Sequence, residues 1–115
     1  MKLLKLYKNG ELLINEVEDA SSFFRRFMGL MYRREMARDH GLLLTPCNEI
    51  HTFGMRFDID TVAMSKEGEV LFIDKAVPPR KVRKKVAGGY KMLELNSGVC
   101  DELQISVGDI LEFRA

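Results

Sequence analysis

Alternating hydrophobic and polar residues near the N-terminus predict a β-hairpin. The segment KLLKLY (residues 2–7) and the segment ELLINEV (residues 11–17) each have the pattern of a short, half-buried strand. Between them, Asn9-Gly10 supplies the positive φ angles that a two-residue hairpin turn needs. We therefore expect two antiparallel strands joined by a tight turn.

The spacing of apolar residues changes after this hairpin and predicts a helix over about residues 19–31. Asp19 or Ser21 can cap its N-terminus, and Gly29 near its end favours close packing. The apolar face has the i, i+3, i+4, i+7, i+8, i+11 spacing and consists of Ala20, Phe23, Phe24, Phe27, Met28 and Met31.

The rest of the chain reads as short strands separated by turns. Pro46 ends one buried strand, and Pro78-Pro79 ends another, because proline cannot donate to a ladder of hydrogen bonds. The predicted strands are LLLTP (42–46), residues 51–64, EVLFIDKAV (69–77), YKMLELNSG (90–98) and VGDILEFR (107–114). We expect one α+β, mostly β domain spanning residues 1–115. Its six to eight short strands form a curled or barrel-like sheet with the single helix packed on it.

The block HTFGMRFDID, residues 51–60, concentrates candidate polar chemistry. If the block is extended, alternate side chains share a face, and Gly54 permits a bulge that redirects the His51 end. One face would then be core and the other polar. The core face would contain His51, Phe53, Met55, Phe57 and Ile59, and the polar face Arg56, Asp58 and Asp60.

Composition limits the classes of function. With 18 Lys plus Arg and 17 Asp plus Glu, the whole chain favours neither nucleic acid nor an acidic partner, so electrostatic arguments must be local. Two cysteines do not make a disulfide scaffold. The N-terminus has no signal-peptide pattern, and no segment approaches the roughly 18 apolar residues of a membrane span. We expect a soluble cytoplasmic protein that does not enter a membrane.

Metal and nucleophile chemistry have weak support in the sequence. The set formed by His40, Cys47, His51 and Cys100 matches no compact zinc module, so no metal site and no cofactor are expected. An enzyme using His51 with Asp60 or Cys47 stays open as an alternative, although nothing in the sequence indicates a lowered thiol pKa.

A cluster of positive charge follows the double proline. Arg80, Lys81, Arg83, Lys84 and Lys85 lie within six residues. Such a segment can bind the phosphates of nucleic acid, but it contains no aromatic residue that could stack on bases. A solvated loop is favoured over nucleic-acid binding through the wider segment 75–91.

Taken together, the motifs resemble those of a prokaryotic family, domain of unknown function 192. They are RFMGLMYR (26–33), HGLLL (40–44), IHTFGMRFDIDTVAMSKEGEVLFI (50–73), MLELNSG (92–98) and VGDILEF (107–113). The resemblance implies a compact β-rich fold with one helix and implies no reaction. This chain has Asp58 where the family commonly has proline. The family's recurrent positions fall on Arg26, Gly29, Met31, His51, Met55, Arg56, Ile59, Asp60, Glu94, Gly98, Gly108 and Asp109.

Five of these positions are polar residues without an evident structural reason: Arg26, His51, Arg56, Asp60 and Glu94. We predict that they converge near the 51–60 block and bind a small polar ligand or a peptide of a partner protein, without catalysis. The ligand, the partner and the oligomeric state are not predicted.

Overall fold

The computed structural model describes residues 2–20 and 36–115, and these residues form a mixed seven-stranded sheet with one short helix. The elements are β1 (Leu3–Lys8), β2 (Glu11–Ala20), β3 (His40–Leu44), β4 (Ile59–Met64), β5 (Val70–Val77), β6 (Lys91–Asn96), α1 (Val99–Glu102) and β7 (Leu111–Arg114). The strand order is β5-β4-β6-β3-β2-β1-β7. Among the strand pairs of the described residues, only β2–β3 is parallel. The predicted mostly β architecture is confirmed.

The N-terminal hairpin forms as predicted, but its second strand is longer than expected. Asn9 has φ 53° and Gly10 has φ 77°, the positive values that the turn requires. β2 continues to Ala20, because Asp19 and Ala20 pair with Leu43 and Leu44 of β3. The expectation of a helix beginning at residue 19 is therefore wrong for residues 19–20, and residues 21–31 of that helix lie outside the described residues.

The sheet curls until its two edge strands meet at one corner. The backbone N–H of Val70 donates to the carbonyl of Asp109 (2.8 Å), and that of Leu111 donates to the carbonyl of Gly68 (2.9 Å). A side chain at Gly68 would place its Cβ 2.3 Å from the Leu111 carbonyl oxygen, and φ there is +95°. Glycine thus permits the contact. β5 and β7 do not pair beyond this corner, so the sheet resembles an incomplete barrel.

Each face of the sheet has its own apolar cluster. The inner cluster lies inside the curl and contains Leu4, Leu6, Ile14, Val17, Leu43, Val62, Met64, Val70, Leu93, Leu95, Val99, Cys100, Ile105 and Leu111. The outer cluster contains Ala20, Met36, Leu42, Leu44, Ile50, Met55, Ile59, Ala63, Val77 and Met92. Two loop segments, residues 45–58 and 78–90, contribute Ile50, Met55 and Val86 to the packing on this outer face.

Candidate functional site

The 51–60 block is not a continuous strand. Residues 51–58 are irregular, with a turn at Phe53-Gly54, and β4 begins only at Ile59. Gly54 has φ 81°, and the N–H of Met55 donates to the carbonyl of Thr52 (3.2 Å). The predicted strand over 51–58 is therefore wrong, because this turn interrupts the alternation of side chains. Ile59 and Met55 are buried as expected, but Phe53 is 49% exposed rather than in the core.

Thr52 connects this block to the start of the basic segment. Its hydroxyl donates to the carbonyl of Pro78 (2.7 Å) and accepts from the N–H of Lys81 (2.8 Å). Its backbone N–H donates to the Lys81 carbonyl (2.8 Å), and its own carbonyl accepts from the N–H of Arg80 (3.1 Å). The side chain is fully buried. This residue, overlooked in the sequence, fixes the path of the chain after the double proline.

The pairing continues along the basic segment and places it against the outer face. The N–H of Arg83 donates to the Ile50 carbonyl (3.0 Å), and that of Val86 donates to the Asn48 carbonyl (3.0 Å). His51 and Val82 form an antiparallel bridge between the Thr52–Lys81 and Ile50–Arg83 hydrogen bonds. Residues 81–86 are thus held beside residues 48–52 by backbone hydrogen bonds, which leaves their basic side chains available to form a surface.

At the other end of the block, the Asp60 carboxylate is buried and hydrogen-bonded to the backbone. It is 1% exposed, and one carboxylate oxygen accepts from the N–H of Ala76 (2.9 Å). The second oxygen accepts from the N–H groups of Gly98 (3.0 Å) and Cys100 (3.1 Å). Ala76, at φ 53°, lies in an irregular part of the β4–β5 pairing. Asp60 therefore joins β4 to β5 and to α1.

The Asp60 carboxylate also influences the neighbouring thiol. Burial raises the pKa of the Cys100 thiol to about 12, and the negative charge and hydrogen bond of Asp60 add to this effect. A raised pKa keeps the thiol protonated at neutral pH and makes it a poor nucleophile. Cys100 packs as a buried apolar residue of the inner cluster.

The sheet separates two of the five predicted binding residues. Asp60 lies opposite Leu95, on the face of the inner cluster. Glu94 is also buried, but it pairs with Leu42 and Thr61 and faces the outer cluster, since successive side chains alternate along a strand. These two carboxylates therefore cannot line one pocket.

The remaining predicted residues lie at the surface or outside the described residues. His51 and Arg56 are both exposed. The His51 ring lies 6.1 Å from the Phe53 ring. The Asp60 carboxylate accepts from the N–H groups of Ala76, Gly98 and Cys100, and the Cys47 thiol donates to the Glu49 carbonyl (3.0 Å), so these contacts do not involve His51. Arg26 lies outside the described residues.

A groove not anticipated from the sequence lies between β5 and the basic segment. Its volume is about 580 Å³. The lining consists of Leu71, Phe72, Asp74, Arg83, Lys84, Lys85, Val86 and Ala87. A narrow extension reaches inward to Ile50 and Met92 of the outer cluster. The sequence signal for this groove is the double proline, which turns the basic residues back over the face that carries Phe72.

The groove combines an apolar surface with positive charge. Phe72 is 50% exposed although it lies within a strand. The Arg83 guanidinium donates to the Asp74 carboxylate (2.5 Å), so this pair is locally neutral. Lys84 and Lys85 are exposed and have no ion pair with any residue in the described ranges. The uncompensated charge at the rim is therefore positive.

Neither a metal cluster nor a membrane-spanning helix is found in residues 2–20 and 36–115. No three His, Cys, Asp or Glu side chains in these ranges are placed to hold a metal ion. None of the helices there has the length and apolarity that crossing a bilayer requires. In the same ranges, neither Cys47 nor Cys100 takes part in a disulfide.

Comparison with solved structures supports the fold. The chain superimposes on a protein of Sinorhizobium meliloti 1021, described as a "putative transcription regulator", with a TM-score of 0.82 and 28% identity, covering 96% of this chain and 91% of that one. A protein of unknown function from Novosphingobium aromaticivorans gives a TM-score of 0.83 at 19% identity, covering 96% and 83%. The second likeness concerns the fold alone.

Relatives and a family model complete the comparison. The chain is 30% identical over 117 residues to a UPF0127 protein of Pyrococcus furiosus, covering 97% of each. It is 29% identical over 111 residues to a UPF0127 protein of Thermococcus sibiricus, covering 91% of this chain and 70% of that one. The model of the DUF192 family, described as "Uncharacterized ACR", matches residues 4–113. Since this match includes nearly the whole chain, the protein belongs to the DUF192 family.

Proposed function

We propose that this protein is a binding domain whose ligand occupies the groove between β5 and residues 83–87. The ligand would be anionic with an apolar part, either a small molecule or a segment of a partner protein. The observation that carries this proposal is the exposed Phe72 side chain in a concave, largely apolar surface whose unpaired charges are the lysines at its rim.

The size and chemistry of the groove support binding. Its volume of about 580 Å³ lies within the range of small-molecule sites, which are typically apolar with a few placed polar groups. Leu71, Phe72 and Val86 offer apolar area, while Lys84 and Lys85 attract a carboxylate, sulfonate or phosphate. Asp74 is engaged with Arg83, so it does not oppose an incoming anion as a free charge would.

The 51–60 block then has a supporting role. Its Thr52 fixes residues 78–81, and its Asp60 fixes Ala76, so the end of β5 and the start of the connection that follows it are held. The proposal assigns no catalytic step to this block. Direct ligand contacts by Arg26, His51, Arg56, Asp60 or Glu94 stay predictions, and the separation of Asp60 from Glu94 does not support a single site containing all five.

The groove can be tested with 8-anilinonaphthalene-1-sulfonate, an anionic aromatic probe. We expect saturable fluorescence enhancement that weakens about tenfold in Phe72→Ala and in the double variant Lys84→Glu, Lys85→Glu. The matched controls are Leu12→Ala, an equally exposed apolar residue on β2, and the double variant Lys2→Glu, Lys5→Glu on the N-terminal hairpin. Equal affinity in groove and control variants would refute the proposal.

Nucleic-acid binding is a second candidate because the fold brings rings to the basic segment. His51 and Phe53 are exposed; His51 pairs with Val82, in the middle of residues 80–85, and its ring lies 6.1 Å from the Phe53 ring. Exposed rings next to lysines and arginines suit single-stranded nucleic acid. The description of the Sinorhizobium protein is compatible with this candidate. Binding of fluorescein-labelled oligo(U) or oligo(dT) should fall steeply with added salt and require Phe53; no binding at low salt would eliminate it.

We also infer that the chain acts as a single domain in the cytoplasm. The continuous seven-stranded sheet in the described residues supports the first inference. Two cysteines that form no disulfide within the described residues suit a reducing compartment and support the second.

A further inference from the structure

Among the described residues, β5 is an edge strand whose outer side is unpaired along most of its length. It pairs with β4 on one side, and on the other side it meets residues 108–111 only at Val70. From Phe72 to Val77, no backbone hydrogen bond from any other described residue reaches that outer edge. The outer edge of β5 therefore presents backbone groups next to the groove.

The two edge strands of the sheet differ in how they are protected. β7 has four residues and carries the Glu112–Arg114 ion pair. β5 has eight residues; its second half has Asp74 and Lys75 in ion pairs and an irregularity at Ala76, but Phe72, its third residue, is half exposed. Edge strands are usually shortened, charged or covered, because open backbone groups recruit another strand. An eight-residue edge with an exposed aromatic side chain beside a groove is suited to accept one.

We propose that an extended acidic segment of a partner protein binds as an added strand along the outer edge of β5. Its apolar side chain would enter the groove against Phe72, and its flanking carboxylates would meet Lys84 and Lys85. Backbone hydrogen bonds would supply affinity, while the groove and the lysines would supply specificity. This inference rests on the proposed function, since it names the ligand of the same groove.

Charge identifies the partner as acidic. Residues 80–85 contain five basic side chains and no acidic one, and Arg83 alone is neutralised by an ion pair within the described ranges. The same excess disfavours a second copy of this chain, because antiparallel pairing of two β5 edges would bring two basic rims together. A nucleic acid could neutralise the charge, but it has no strand backbone to pair with the edge.

The direct test uses a fluorescein-labelled peptide of sequence Glu-Asp-Val-Ile-Val-Asp-Glu and fluorescence polarisation. We expect it to bind and the charge-reversed peptide Lys-Arg-Val-Ile-Val-Arg-Lys not to bind. Affinity should drop about tenfold or more in the double variant Lys84→Glu, Lys85→Glu, with the double variant Lys2→Glu, Lys5→Glu as control.

Two N-methylated forms of the acidic peptide test strand addition itself. One form carries methyl groups on alternate amides, and the other carries them on the remaining amides. In a strand, alternate N–H groups point to the same side. Strand addition therefore predicts that one form loses at least about tenfold in affinity while the other keeps most of it. Backbone amides of residues 72–75 should also become protected from hydrogen exchange.

The possible outcomes separate this inference from the proposed function. Equal binding of both methylated forms, still dependent on Phe72, would refute strand addition and leave the groove as the site. If the acidic peptide does not bind but the sulfonate probe binds through Phe72, only the inference of strand addition is refuted and the proposed function stands. Failure of both ligands would overturn both proposals. Oligo(U) binding that requires Phe72, without peptide binding, would assign the groove to nucleic acid instead.

Discussion

Replacement of Asp60 by asparagine tests whether this buried carboxylate is structural. The wild-type side chain offers two acceptor oxygens to three backbone N–H groups, from Ala76, Gly98 and Cys100. Asparagine has one acceptor oxygen, and its amide group is a donor. One orientation of the new side chain therefore places an NH2 group against the N–H of Ala76. The other places it against those of Gly98 and Cys100.

The variant should adopt the less damaging orientation of the asparagine amide, so that orientation determines the expected loss of stability. It preserves the contacts to Gly98 and Cys100 and loses the hydrogen bond to Ala76, leaving two donors facing each other. A hydrogen bond to a charged group contributes about 1.5–3 kcal/mol, and an unsatisfied buried donor costs about 1–3 kcal/mol. We therefore expect Asp60→Asn to lower the free energy of unfolding by roughly 2–4 kcal/mol, a large part of the total for a domain of this size.

Urea unfolding followed by circular dichroism measures this loss, with Asp58→Asn as the matched control. Asp58 is exposed and lies two residues earlier, so its replacement should change the unfolding free energy by less than about 0.5 kcal/mol. If Asp60→Asn unfolds within about 0.5 kcal/mol of wild type, the three hydrogen bonds do not carry the stability assigned to them. A functional role for this carboxylate would then become the better explanation.

Three further perturbations test other parts of the fold. Thr52→Val should lower the unfolding free energy by about 1–3 kcal/mol and speed hydrogen exchange in residues 80–83, whereas Thr52→Ser should largely retain both. Gly68→Ala should destabilise the fold by several kcal/mol more than Gly10→Ala. Both glycines have positive φ, but only at Gly68 would the added Cβ clash with a backbone carbonyl oxygen. Equal urea midpoints for the two variants would contradict this. The raised pKa of Cys100 means that the unfolded thiol ionises near pH 9 while the folded thiol stays protonated to about pH 12. Stability should therefore fall as pH rises through this interval, and Cys100→Ala should flatten the decline while Cys47→Ala does not.

Patterns of period two identified most strands because each strand buries alternate side chains. β1 and β2 follow the predicted hairpin closely, and β5, β6 and β7 lie within their predicted segments. Local chemistry was sufficient in these cases, since the Asn9-Gly10 turn and the prolines at 78–79 act on adjacent residues. The end of β2 could not be predicted in this way. Residues 19–20 are in a strand because they pair with β3, which is distant in sequence.

The 51–60 block shows why a local pattern can assign the wrong face. Its alternation is continuous in the sequence, but one turn at Phe53-Gly54 divides it, and Phe53 faces solvent as a result. The groove was harder still to foresee. It requires Phe72 on an edge strand and Lys84 on a loop to become neighbours, and their proximity depends on hydrogen bonds from residues 48–52.

The positions of Thr52 and Asp60 give the motif a physical meaning that its composition did not suggest. Thr52 holds residues 78–81 on the outer face, and Asp60 holds Ala76 from the inner face, so the end of β5 and the start of the connection after it are fixed from both sides of the sheet. A groove between β5 and the following basic loop keeps its shape only if that connection is rigid. Selection for such a groove would therefore preserve Thr52 and Asp60 without either residue touching the ligand. The residues that determine what is bound would lie instead at Phe72, Lys84 and Lys85.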